Sequence, residues 1–80
     1  MIGREILTDW VIEALKELNG RGKLLDVCKK VWEKHKKELE ASGDLFYTWQ
    51  YDIRWAATSL RKQKKMKAAE VSPAGVWELA

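Results

Sequence analysis

Gln50, Arg54, Thr58, Arg61 and Lys65 follow one another at intervals of three and four residues. At about 100° per residue, that spacing sets an amide, two guanidinium groups, a hydroxyl and an ammonium along one side of a helix. Tyr51 and Lys62 stand at the edge of the same stripe, and Thr48 stands at its start. These groups suit the reading of duplex DNA. Arg makes two hydrogen bonds to guanine, and Gln does the same with adenine. Gln50, Tyr51 and Arg54 lie near the helix start, where a recognition helix meets base edges. Arg61 and Lys65 lie further along and are suited to phosphates, which fix position without carrying sequence information.

Charge is distributed in the same sense. The chain as a whole carries +3, a weak signal. From Ile53 to Ala69, however, every charged residue is basic: Arg54, Arg61, Lys62, Lys64, Lys65 and Lys67. A segment of one sign raises the local potential where the whole-chain charge does not. The plainer reading is a solvated helix end, where lysines also oppose the macrodipole. Asp52 is the one acid between Leu45 and Ala69, and it falls toward the margin of the stripe.

Other chemistry finds less support. Cys28 and His35 are the sole residues of their types. Two such ligands do not complete a zinc site, which takes about four. A nucleophilic Cys28 would need an adjacent base and an electropositive pocket, and His35 would lie two turns away. Gly20-Arg21-Gly22-Lys23 lacks the length and spacing of a phosphate cradle. There is no Ser/His/Asp set and no paired carboxylate pattern, so the chain is read as a non-enzyme with no cofactor. The single cysteine and the absence of a long apolar stretch in Met1 to Trp10 fit a reducing, cytoplasmic setting without a membrane span.

These side chains need elements to hold them. Eighty residues make one domain with a small core. Five tryptophans supply much apolar area for that size. A first helix is predicted over about 9–18, with Thr8 as N-cap, an apolar face of Val11, Ala14, Leu15 and Leu18, and Asn19-Gly20 as its end. After a short connector, a second helix spans about 25–40. Its buried stripe is Leu24, Cys28, Val31, Trp32, His35 and Leu39; its charged face includes a Glu33–Lys37 pair. Leu45 to Tyr47 read as a hydrophobic connector. The third helix follows over about 48–64, capped by Thr48, with Trp49, Ile53, Ala56, Ala57 and Leu60 facing inward. Trp49 and Trp77 fit the core best. Trp55 falls off the core stripe and is expected half exposed, packed on the wing or on the second helix. Met66–Val71 and Val76–Ala80 then read as two strands about the turn Ser72-Pro73-Ala74-Gly75. The expected fold is therefore mainly α with a small β-hairpin: a winged helix-turn-helix of three helices plus a two-stranded wing over 66–80. The wing tip has no Arg or Lys; Lys64, Lys65 and Lys67 at its base are the phosphate candidates.

Ile53-Arg54-Trp55-Ala56, Leu60-Arg61-Lys62 and Gly75-Val76-Trp77-Glu78-Leu79 resemble the N-terminal winged-helix domain of Mrr-type restriction proteins. Val11 to Gly20 and Leu25 to Val31 are similar to its first two helices. The resemblance implies a DNA-binding module, in that family joined to a nuclease domain. No nuclease domain is present in these residues, so cleavage is not carried over. The family's glycine after the third helix is replaced by Gln63-Lys64-Lys65-Met66.

The resulting expectation is a duplex-DNA-binding module serving a restriction or regulatory system. Its third helix enters the major groove through Thr48, Gln50, Tyr51, Arg54 and Thr58. Arg61, Lys62, Lys65 and Lys67 lie toward phosphates. A homodimer or a covalently joined partner domain is compatible with it. The alternative is a protein–protein interaction module on the same scaffold, anchored by Trp55 and Tyr51.

Overall fold

Leu7, Trp10, Val11, Ala14 and Leu15 recur at three- and four-residue spacing and are all buried. They form the inner face of α1 (Ile6–Glu17). A short strand, β1 (Arg21–Lys23), leads directly into α2 (Leu24–Glu40). After a turn come α3 (Leu45–Lys62) and, near the end of the chain, β2 (Val76–Glu78). The computed structural model describes residues 3–80; Met1 and Ile2, the start of the segment read above as free of a signal sequence, lie outside the described residues. The protein is thus mainly helical with a small two-stranded antiparallel sheet. No helix among the described residues is long and apolar enough to cross a membrane.

The core sits among the three helices. Val27, Val31 and Leu39 from α2 and Trp49, Ile53, Ala56, Ala57 and Leu60 from α3 join the α1 face, and Trp77 closes the end near the sheet. The inward face expected for the third helix is therefore buried throughout. On α2 the buried stripe differs in part. Val27 is fully buried, whereas Leu24, Cys28 and Trp32 are half-buried and pack at the core's edge.

Two of the three helices, α1 and α3, begin earlier than their best capping residues suggest. Thr8 is not the N-cap of α1. It lies inside the first turn, and its Oγ1 donates to the Glu5 carbonyl at 2.8 Å. Thr48 is not the N-cap of α3 either. Leu45, Phe46 and Tyr47 form its first turn, started by backbone bonds from Phe46 N to Gly43 O and from Tyr47 N to Asp44 O. Burial decides this: Leu45 is nearly inaccessible, so helical periodicity pays more there than an extended connector.

Two helix ends share one device. At α1, Gly20 N donates to Leu15 O and Asn19 N to Lys16 O, with Asn19 at φ 63°. At α3, Lys65 N donates to Leu60 O and Lys64 N to Arg61 O, with Lys64 at φ 61°. Both are Schellman ends, which favour Gly or Asn at the left-handed position. α3 consequently stops at Lys62, two residues short of the expected end, and Lys64 holds the left-handed position that glycine fills most easily.

The hairpin expectation needs correction. Residues 66–71 do not form a strand. Ala68, Ala69 and Glu70 are poor strand formers, and 69–71 are in turn conformation. Only Met66 bridges to Leu79, supported by Lys67 N to Glu78 O and Ala80 N to Lys65 O. The full partner of β2 is β1, with Arg21, Gly22 and Lys23 opposite Glu78, Trp77 and Val76.

The charged face of α2 also departs from expectation. Glu33 meets Lys30 at 4.0 Å rather than Lys37. His35 leaves helical geometry at φ −125°, ψ 21°, which breaks the register between positions 33 and 37. Lys34 instead pairs with Glu17 of α1, and their hydrogen bond holds Glu17 below the ordinary carboxylate range.

Candidate nucleic-acid interface

With Ile53, Ala56, Ala57 and Leu60 turned inward, α3 presents its opposite side to solvent. Gln50, Tyr51, Arg54 and Thr58 are exposed along it, as are Lys62 and, beyond the helix end, Lys65. Tyr51 is 79% accessible. No hydrogen bond or ion pair among the described residues engages the side chains of Gln50, Tyr51, Arg54, Lys62 or Lys65. Their polar groups are free for an external partner at no cost in broken internal bonds.

Four of the expected residues are otherwise occupied. Thr48 is exposed, but its Oγ1 donates to Asp52 Oδ2 at 2.8 Å. That bond engages the acid with the hydroxyl one turn back. Thr58 Oγ1 donates to the Arg54 carbonyl at 3.2 Å, a local bond that leaves the hydroxyl's acceptor side outward. Arg61 is only half-exposed. Its Nε donates to the Lys67 carbonyl at 3.4 Å, and its guanidinium lies 6.0 Å from the Trp77 ring centroid. Arg61 therefore braces the segment after α3 against β2. Lys67 Nζ lies 3.7 Å from Glu78 Oε2, so its charge is partly neutralised. Among the described residues, Lys62, Lys64 and Lys65 have no ion-pair partner at this end.

Trp55 is half-buried as expected and packs against the core cluster. The Arg4 guanidinium lies 4.2 Å from its ring centroid, so the indole is covered from the N-terminal side.

Sequence spacing gave no sign of one neighbouring feature. A groove of about 600 Å³ lies between the first half of α2 and the first half of α3. Its apolar wall is Leu24, Leu25, Cys28, Trp32, Phe46 and Trp49, and Lys29, Gln50 and Arg54 also line it. Trp32 and Trp49 stack at 6.0 Å with planes 8° apart. Burial pushes the Cys28 thiol above its ordinary value, with the Arg54 guanidinium pulling weakly the other way. Arg54 and Gln50 thus belong both to the exposed stripe and to this groove. The one available hint was Leu25, an apolar residue off the buried stripe of α2.

No protein-family model, curated protein or solved structure matches the chain.

Proposed function

We propose that this chain is a winged-helix module that binds duplex DNA, with α3 in the major groove and Lys62, Lys64 and Lys65 toward phosphates. The observation that carries this reading is the exposed run Gln50, Tyr51 and Arg54, free of internal partners, on a helix whose other face is buried. Such side chains form the contacts by which base edges are read. The element order α1, β1, α2, α3, β2, with β1 paired to β2 and Met66 bridged to Leu79, supports the winged-helix assignment in reduced form. We read the short segments that resemble the N-terminal winged-helix domain of Mrr-type restriction proteins in the same sense, toward the DNA-recognition part of a restriction or regulatory system.

Titration against a duplex pool at several salt concentrations tests the reading. Phosphate contacts release counterions, so affinity should fall steeply between about 50 and 200 mM salt. Absence of binding at the lower concentration, or affinity indifferent to salt, would count against it.

A further inference from the structure

The groove between α2 and α3 is an apolar concavity with a cationic rim. Leu25 at its mouth is 63% exposed, an unusual position for a large aliphatic side chain on a helix with charged neighbours. Beside it lie the indoles of Trp32 and Trp49 and the ring of Phe46. A concavity lined mainly by aromatic and aliphatic side chains with a few polar groups at its edge is the form of a binding site. The charged residues that line it have one sign. Lys29 and Arg54 line it, Lys36 Nζ lies 5.7 Å from the Trp32 ring, and no acid is among the lining residues.

Those charges select the occupant. A second copy docked groove to groove would set Lys29 and Arg54 against their own counterparts, a like-charge juxtaposition that disfavours association. Duplex DNA would satisfy the cations but leave the indole and leucine floor unfilled. An amphipathic helix satisfies both. Its apolar residues at i, i+3 or i+4 and i+7 fill a groove between two helices, and flanking carboxylates meet Lys29, Lys36 and Arg54.

We propose that the α2–α3 groove docks an acidic amphipathic helix of a partner protein, and that the docked helix excludes duplex DNA by engaging Gln50 and Arg54. The docking stands on the groove alone. The exclusion rests on the DNA-binding reading given above.

The test uses the full chain and a display library of helical peptides about four turns long. Selection should enrich peptides carrying net negative charge and three apolar residues on one face. A synthetic copy of the enriched peptide should shift the amide resonances of Leu25, Cys28, Trp32 and Phe46. Leu25→Asp should weaken it about ten-fold or more, as loss of a central apolar anchor does. Leu25 is mostly exposed, so that variant keeps its fold, and an unchanged amide spectrum elsewhere verifies this. Lys29→Glu should weaken the acidic peptide through charge alone. No enrichment, enrichment of neutral or basic peptides, or resonance shifts confined to other surfaces would overturn the docking. A second arm adds the same peptide to a complex of the chain with labelled duplex. Release of the duplex supports exclusion. Peptide bound in the groove with the duplex still held overturns exclusion. Peptide binding by a chain that binds no duplex at low salt leaves docking intact and removes the DNA reading.

Discussion

The Trp10 indole lies face to face with the His35 imidazole, centroids 4.0 Å apart and planes 8° from parallel. The stack joins α1 to α2 at the point where α2 leaves helical geometry. Both ring nitrogens are also engaged, Nε2 with Glu13 at 2.6 Å and Nδ1 with Glu38 at 2.8 Å. His35, on the inward stripe expected for α2, pins that helix to α1. Replacing it by Ala should destabilise the fold by about 1–2 kcal/mol, from the lost aromatic pair and partly exposed hydrogen bonds. Urea unfolding measures this, and a change below about 0.5 kcal/mol, the level of an ordinary surface substitution, would refute the role.

Arg54 is the side chain on which the DNA reading depends most. Arg54→Ala should weaken duplex binding by about 1–3 kcal/mol if it contacts a base. Lys37 on the exposed face of α2 is the control, because Lys34 is engaged with Glu17. Lys37→Ala should leave affinity almost unchanged. Equal losses in a fluorescence-anisotropy titration would remove α3 from the interface.

Lys64 adopts a left-handed backbone with φ 61° at the end of α3. A side chain costs energy there that glycine avoids. Lys64→Gly should therefore raise stability, by about 0.5–1 kcal/mol after the added freedom of the unfolded chain is allowed for. A lowered urea midpoint would contradict the geometry.

Burial holds the Cys28 thiol above its ordinary pKa. A raised value means less thiolate at a given pH and slower alkylation. Iodoacetamide should react slowly near neutrality, with a rate still climbing past the usual thiol range of about 8.5. Arg54 favours the thiolate, so Arg54→Ala should slow the reaction further. A rate that levels off below that range would show an activated thiol instead.

Periodicity exposed α3 well, because Trp49, Ile53, Ala56, Ala57 and Leu60 are spaced by the helix itself and all turn inward. The polar side of the same helix was legible for the same reason. Its start was not. Thr48 is a good capping type, yet burial of Leu45 and packing of Phe46 near Trp32 extend the helix one turn earlier. Local pattern also paired β2 with the adjacent residues 66–71, whereas its true partner, β1, lies near the other end of the chain. The roles of Arg61 and Lys67 depend on that closure. Neither the brace against Trp77 nor the pairing with Glu78 follows from spacing along one helix.

The pairing of Arg21–Lys23 with Val76–Glu78 has one more effect. Without its mate, the first strand offers bare amide and carbonyl groups, a template that any extended polypeptide can join. Removing that mate also takes the Trp77 indole out of the core. A chain cleaved or stalled after Gly75 is thus expected to keep much of its helicity while clumping, visible as light scattering that grows with concentration. The final strand works as a stopper on an otherwise adhesive margin.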